Sequence, residues 1–264
     1  MSVDGGPDLR WLERGDGEPV VLLHGLMGRM DHWDAALDEL GPACRAMALA
    51  LPIYDARLAE ASIPELGRHV VRFLDALEIG RAVVGGNSLG GHVALDVALR
   101  HPDRVSGLIL TGSSGLFERS FTRGVPHRPT AQYVRERMEE VVYDRSLVTS
   151  SWVESVRDQV TARPSAMRVI RFAREARRHQ MHARLPEIAA PTLLVWGEDD
   201  LITPPAVAER FRALIPGAEL RLLARCGHAP MLERPAAFAQ VVRAWLEATR
   251  ATRSGVASLA GGGR

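Results

Sequence analysis

The sequence has 264 residues, 46% hydrophobic and 25% charged, and its 33 basic and 32 acidic residues give a net charge of +1. These values are ordinary for a globular protein, and they exclude a collagen-like chain or one disordered over most of its length. No apolar run approaches the roughly 20 residues that a membrane-spanning helix needs, and the balanced charge gives no general reason to expect nucleic acid or a membrane as partner.

Short apolar runs alternate with helical patterns in the first part of the chain. Ser62 is placed to cap the first of these helices, and Gly80 to stop it. The alternation predicts βαβ units, and therefore an α/β fold with a mostly parallel sheet covered on both faces. Strands are predicted at 20–23, 43–51, 82–84 and 105–110, and helices at 63–77 and 89–99.

The alternation breaks between about residues 118 and 185, where the patterns are helical and rich in arginine. In open α/β sheets the ligand lies beyond the carboxyl ends of the strands, so an insertion leaving that edge is expected to roof the site. We predict a core of residues 1–117 and 186–250, a helical cap at 118–185 and a disordered tail at 251–264. The later predicted elements are helices at 131–142, 147–160, 165–181, 206–214 and 235–249, and strands at 192–196 and 220–223.

The segment around Ser88, Gly-Asn-Ser-Leu-Gly, matches the pattern G-x-S-x-G. It follows a predicted strand and opens a predicted helix, which is the setting of a nucleophile elbow. The flanking glycines would avoid collisions in so sharp a turn, and the helix dipole would favour negative charge at Ser88. A Gly-Ser turn without catalytic function is the alternative, as is a phosphate-binding loop, although the G-K-[ST] of a P-loop is absent.

A serine nucleophile needs a base, and the base needs an orienting carboxylate. His228 follows the last predicted strand, and Asp199 and Asp200 follow the strand before it. A surface histidine and a turn or capping aspartate are the alternatives. The order Ser88, aspartate, His228 and the shared position at strand ends predict a catalytic triad.

The backbone N–H groups of Leu26 and Leu89 are predicted to form the oxyanion hole. His24 is expected to tie its loop by a hydrogen bond rather than to act in catalysis. Six residues are candidates for contact with the substrate, and a place in the core is the alternative for the apolar ones: Gly25, Met27, Asn87, Phe117, Trp152 and Met231.

The segments LLHGLMG, GGNSLGGHVAL, HPDRVSGLIL, WGEDDLITP and CGHAPMLERP together resemble the α/β-hydrolase superfamily. The resemblance implies the α/β-hydrolase fold, with Ser88 as nucleophile and His228 as base. In relatives the acid is usually the fourth residue counted from the glycine after the strand, with a proline four residues further on. Here those residues are Gly197, Asp200 and Pro204, so the resemblance favours Asp200 over Asp199 as the acid. Within the superfamily the nearest resemblance is to esterases and to meta-cleavage-product hydrolases, which split carbon–carbon bonds in dienoic acids. The segments GNSLGG, LTGSSGL and RCGH are similar to those of the meta-cleavage-product hydrolases.

Two positions depart from the meta-cleavage-product hydrolases. Ala229 follows the histidine where those enzymes usually have tryptophan, and Ser151 precedes Trp152 where they usually have an arginine for the substrate carboxylate. The sequence therefore predicts first a carboxylesterase that hydrolyses a small ester through an acyl-enzyme, without a metal or organic cofactor. The alternatives are a C–C hydrolase of the meta-cleavage type, an acyltransferase and a non-enzymatic ligand receptor.

Cys44 and Cys226 are too few for a disulfide framework or a four-cysteine zinc site. The N-terminus shows no secretory signal, so a reducing cytoplasm is the default location. We expect a small-molecule partner, neither nucleic acid nor a membrane, and leave a homodimer open. The predicted cap carries 14 arginines and 8 acidic residues, which indicates either a solvated surface or attraction for anionic substrates. The candidate cluster is Arg171, Arg174, Arg177 and Arg178.

Overall fold

The structure is a computed structural model that describes residues 6–116 and 129–261. Within these ranges seven strands form one sheet in the order β1-β3-β2-β4-β5-β6-β7, in which β1 pairs antiparallel with β3 and the other pairs are parallel. The predicted α/β class and mostly parallel sheet are confirmed. The strands are β1 (Trp11–Arg14), β2 (Pro19–Leu23), β3 (Arg45–Leu49), β4 (Ala82–Asn87), β5 (Val105–Thr111), β6 (Thr192–Gly197) and β7 (Glu219–Leu223).

Helices connect the strands and cover the sheet. The N-terminal capping residue predicted for the helix at 63–77 is confirmed, since the Ser62 side chain accepts from the N–H of Glu65 at 3.3 Å. The helices are α1 (Asp34–Leu40), α2 (Ile63–Ala76), α3 (Leu89–Arg100), α4 (Ala131–Glu139), α5 (Ser150–Thr161), α6 (Arg163–Arg178), α7 (Pro205–Leu214), α8 (Pro230–Glu233) and α9 (Pro235–Gly261).

The two faces of the sheet bury separate apolar clusters. Along β2, Val21 and Leu23 point into the cluster that includes residues of α2 and α3, whereas Val20 and Leu22 point into the cluster that includes residues of α1 and α9. Alternate side chains of a strand point to opposite faces, and a strand covered on both sides is therefore apolar throughout. Full burial of each such aliphatic side chain contributes about 1.5–3 kcal/mol.

Helices α4, α5 and α6 lie between β5 and β6 in the chain, where the sequence predicts a helical insertion. Met27 and Trp152 pack at the edge of an apolar cluster within this insertion. The four arginines of the candidate cluster are exposed on α6, as expected for a solvated helix surface. The buried members of the cluster are Val134, Met138, Val142, Val148, Val153 and Val156.

The last helix extends further than the sequence predicts. α9 continues to Gly261, whereas the predicted helix ends at residue 249 and the predicted tail begins at residue 251. Alanine and arginine, both strong helix formers, make up much of residues 248–253. Their propensity outweighs the glycine and serine that favoured a tail.

Candidate active site

Ser88 lies in a sharp turn between β4 and α3, as the motif predicts. Its backbone has φ 55° and ψ −116°, a region that a residue with a side chain rarely adopts and that costs about 1–3 kcal/mol. A Cβ on Gly86 would overlap the backbone of Gly90, and a Cβ on Gly90 would overlap the carbonyl of Leu23. The glycines of the motif are therefore required by close packing around the elbow.

Hydrogen bonds from two neighbouring segments hold this strained turn. The N–H of Ser88 donates to the carbonyl of Thr111 at 3.1 Å, and its own carbonyl accepts from the N–H groups of His92 and Ser114, both at 3.1 Å. These partners fix the backbone at residue 88, and the strain is thus imposed by the surrounding structure.

Asp200 and His228 form a buried pair beyond the carboxyl ends of β6 and β7. His228 Nδ1 lies 2.9 Å from Asp200 Oδ2, and the two side chains are 6% and 0% exposed. Asp200 Oδ1 accepts from the N–H groups of Ile202 (2.8 Å) and Thr203 (2.9 Å), and Oδ2 also accepts from Thr203 Oγ1 (2.9 Å). Because a carboxylate only accepts, it holds the proton on Nδ1 and leaves Nε2 free to act as a base.

Asp199, the other candidate acid, points elsewhere. Its side chain is exposed, and its N–H donates to the carbonyl of Cys226 at 2.9 Å. The geometry therefore pairs the imidazole with Asp200 rather than with Asp199.

The backbone of His228 is tied to the residue next to the candidate nucleophile. Asn87 Nδ2 donates to the carbonyl of His228 at 2.8 Å and to that of Thr111 at 3.2 Å. The ring lies over Gly112, where a Cβ would stand 2.7 Å from Nδ1. Among the described residues no hydrogen bond joins Ser88 to the imidazole; in unliganded hydrolases such a contact is often long and shortens with substrate.

The two predicted oxyanion donors lie in the elbow itself and in the loop after β2. Leu89 is the first residue of α3, so its N–H has no acceptor within the helix. Leu26 lies in the loop after β2, and its carbonyl accepts from the Tyr54 hydroxyl at 3.4 Å. Gly25 lies against the candidate nucleophile, since a Cβ there would stand 3.3 Å from Ser88 Cβ.

His24 has the structural role that the sequence predicts. Nε2 accepts from the N–H of Leu51 at 3.0 Å, and Nδ1 therefore carries the proton donated to the carbonyl of Gly25 at 2.8 Å. Burial lowers the pKa of His24 to about 4, which keeps the ring neutral and its tautomer fixed near pH 7.

The candidate substrate contacts fall into different environments. Trp152 is half-buried, with its ring centroid 5.4 Å from that of His32. Met231 is 2% exposed and belongs to the core cluster around α1 and α9. A place in the core was the alternative that the sequence analysis gave for this residue. The amide nitrogen of Asn87 donates hydrogen bonds to two backbone carbonyls. Phe117 lies outside the described residues.

A histidine pair, in which His92 is buried and His179 is partly buried, connects the elbow to the end of α6. His92 Nδ1 lies 3.3 Å from Ser114 Oγ, and Nε2 lies 3.2 Å from His179 Nδ1. The second histidine is 3.6 Å from buried Asp96, which also pairs with Arg100. Burial lowers the pKa of His92 to about 3, so this ring stays neutral near pH 7.

Sequence reasoning missed three residues that touch the Asp200–His228 pair or its loop. Thr203 donates to Asp200 Oδ2, and Gly112 makes room for the imidazole. Glu233 accepts from the N–H groups of Gly227 at 2.9 Å and of Ala229 at 3.4 Å, on either side of the histidine. Its position five residues after His228 was visible in the sequence, but the direction of its side chain was not.

The cysteine beside the site does not compete as a nucleophile. Burial raises the pKa of the Cys226 thiol, so the thiol stays protonated near pH 7. Among residues 6–116 and 129–261, no group of three histidine, cysteine or acidic side chains is arranged to hold a metal ion, and no helix there is long and apolar enough to cross a membrane.

Comparisons with known proteins identify similar sequences and folds. The profile of the Alpha/beta hydrolase family matches residues 20–241. The chain is 32% identical, over 90% of each chain, to a 2-hydroxy-6-oxononadienedioate/2-hydroxy-6-oxononatrienedioate hydrolase of Paraburkholderia xenovorans.

Two solved structures are also similar. An alpha/beta hydrolase from the metagenome of lagoon sediments of Mar Chica, Morocco, is 32% identical with a TM-score of 0.72, and the match covers 94% of this chain and 98% of that one. A thermophilic esterase from Thermogutta terrifontis is 25% identical with a TM-score of 0.75, over 91% and 93% of the chains. The chain thus belongs to the alpha/beta hydrolase family and is a hydrolase.

Proposed function

We propose that Ser88, His228 and Asp200 form a catalytic triad that works through an acyl-enzyme. The observation that carries the proposal is the buried 2.9 Å contact between His228 Nδ1 and Asp200 Oδ2, on a loop tied by Asn87 to the strained elbow. A serine hydroxyl becomes a competent nucleophile only beside such an oriented base.

The reaction follows from these groups. His228 Nε2 takes the proton of Ser88 as Oγ attacks the substrate carbonyl, and the oxyanion accepts hydrogen bonds from the N–H groups of Leu26 and Leu89. The imidazolium, stabilised by Asp200, gives its proton to the leaving group. Water, deprotonated by Nε2, then attacks the acyl-enzyme, and collapse of the second tetrahedral intermediate returns the proton to Ser88 Oγ and releases the acid.

For the substrate we propose a dienoic acid that is cleaved at a carbon–carbon bond next to a ketone. Support comes from the Paraburkholderia relative, whose name specifies that class of substrate. A carbon leaving group departs as a carbanion, so it must be stabilised by conjugation before the imidazolium protonates it. The sequence analysis put esters first. Because the relative's name specifies a dienoic acid, we now propose the carbon–carbon substrate before the ester.

A small ester is the second candidate, favoured by two positions. Ala229 is a buried small residue directly after the histidine, and Ser151, beside Trp152, is exposed and hydrogen-bonds to Thr149 Oγ1. Neither position supplies the bulk or the cation that meta-cleavage-product hydrolases usually have there. An acyltransferase would share the same acyl-enzyme and differ only in the acceptor.

The proposal includes the remaining features predicted from the sequence. Residues 118–185 serve as a cap on a core of residues 1–117 and 186–250. Gly25, Met27 and Trp152 are the proposed substrate contacts. The proposed partner is a small molecule, the proposed location is the cytoplasm, and a homodimer stays a prediction from the sequence.

The test compares two substrates on one enzyme preparation. We expect kcat/KM for 2-hydroxy-6-oxohepta-2,4-dienoate to exceed that for p-nitrophenyl butyrate, and Ser88→Ala to lose about 10³-fold or more on both. A larger kcat/KM for the ester would favour the second candidate, whereas full turnover by folded Ser88→Ala would refute the triad. Products formed in the presence of added alcohol separate hydrolysis from acyl transfer.

A further inference from the structure

Glu233, the last residue of α8, holds together two segments that are far apart in the chain. Its Oε1 accepts from Gly227 at 2.9 Å and from Ala229 at 3.4 Å, and its Oε2 accepts from the N–H of Tyr143 at 2.7 Å. Asp144 makes a further backbone contact with the carboxylate. Within the described part of the chain, its hydrogen bonds all come from backbone N–H groups, on the histidine loop and on the segment after α4.

The same two segments are joined directly at the candidate base. The N–H of His228 donates to the carbonyl of Val141 at 2.7 Å. A Cβ on Gly227 would stand 2.7 Å from that carbonyl oxygen, 2.9 Å from Tyr143 N and 3.0 Å from Glu233 Oε1. The approach is therefore so close that a side chain at residue 227 would separate the segments.

Both segments continue into functional parts of the molecule. Val141 and Val142 pack with the apolar cluster of the insertion. The segment after α4 is therefore packed against the helices of the insertion. On the other side, the carbonyl of His228 accepts from Asn87, next to Ser88. The histidine backbone is thus bound through its N–H to the insertion and through its carbonyl to the elbow.

We propose that Glu233 is a positioning residue that acts through His228 and couples the placement of the insertion to the placement of the catalytic base. The inference rests on the proposed function, because it assigns His228 as the base. A partly buried carboxylate that binds N–H groups on two segments fixes their relative position more tightly than one hydrogen bond can. The imidazole of His228 is then set correctly for Ser88 only while the segment after α4 is in place.

Glu233→Gln tests this role with little change in volume. The amide has one oxygen, so its NH2 must face either the histidine loop or the Tyr143 N–H, and one side of the bridge is lost. Because a misplacement of about 1 Å at a reacting group can cost roughly 10²-fold, we expect kcat to fall about 10- to 100-fold, with KM within about threefold. Asp144→Asn is the matched control: its carboxylate caps Ser146 in the same segment, asparagine caps equally well, and kcat should change by less than about twofold.

A measurement on the unmodified protein protects the test against poor folding of the variant. We expect the amide hydrogens of Gly227, His228 and Tyr143 to exchange with similar protection factors, because they belong to one bonded unit. Exchange of Tyr143 that is about 100-fold faster than that of His228, or a Glu233→Gln variant with the kcat of Asp144→Asn, would overturn the inference. If Ser88→Ala stays active, the proposed function itself fails; if it is inactive and these results are negative, the inference alone fails.

Discussion

Replacing Asp200 with asparagine should inactivate the enzyme by reversing one hydrogen bond. Oδ1 of Asp200 accepts from two backbone N–H groups at 2.8 and 2.9 Å, so the amide oxygen of the variant must stay there. The amide NH2 then faces His228 Nδ1, which lies 2.9 Å from Oδ2 in the native protein. Nδ1 has to accept, and the ring proton moves to Nε2, which can no longer take the proton of Ser88.

The size of the effect follows from the alternatives open to the variant. Turning the amide round would restore the tautomer but leave two buried N–H groups facing an NH2, at about 1–3 kcal/mol each. The wrong tautomer therefore persists, and a loss of about 10⁴ in kcat is expected, which corresponds to about 5 kcal/mol of transition-state stabilisation.

The assay measures kcat at pH 7–8 for Asp200→Asn and for the control Asp199→Asn, with Tm recorded for both. We expect the control to match the native enzyme, because Asp199 is exposed and does not contact the imidazole. The reasoning would be refuted by an Asp200→Asn variant within tenfold of native kcat, or by a loss of activity of similar size in Asp199→Asn.

Two further predictions concern the packing and the titration of buried groups. Gly112→Ala should lower kcat about tenfold or more, because the new Cβ would stand 2.7 Å from His228 Nδ1; Gly217→Ala, at φ 69° with open space around it, imposes similar backbone strain, at about 1 kcal/mol, and should keep full activity. Burial lowers the pKa of His24 and His69 to about 4 and that of His92 to about 3. Between pH 6.5 and about 4 the unfolded chain binds protons that the folded chain does not, so stability falls as the pH drops through this window. We expect Tm to decrease from pH 7 to pH 5 and the slope to flatten in His69→Gln; an unchanged Tm across that range would contradict the burial of these rings.

The sequence predicted the strands and helices that have a regular pattern of apolar residues. The predicted strand ends at residue 84 because the glycines that follow have low strand propensity. In the structure β4 continues to Asn87. Gly85 is required there, since a Cβ on it would stand 2.8 Å from Ile109 Cβ. The half-buried edge strand β1 has no continuous apolar run and was not predicted. The insertion helices were found within a few residues, since their apolar spacing is local.

The candidate site was predictable where chain order and position at strand ends define it. The choice of Asp200 over Asp199 came from the resemblance, and the structure supports it by a contact. The positions of Glu233 and Gly112 depend on how distant segments meet, which no local pattern encodes. Met231 illustrates the same limit, since helical spacing alone could not decide between the core and the pocket.

The central claim is that the hydroxyl of Ser88 is activated by the imidazole of His228. It is tested most directly by reacting the native protein with a fluorophosphonate and locating the adduct by peptide mass spectrometry. We predict one adduct, on Ser88, formed quickly in the native protein and at least about 10³-fold more slowly in His228→Ala. Labelling at another residue, or equal labelling rates in the two proteins, would contradict the claim.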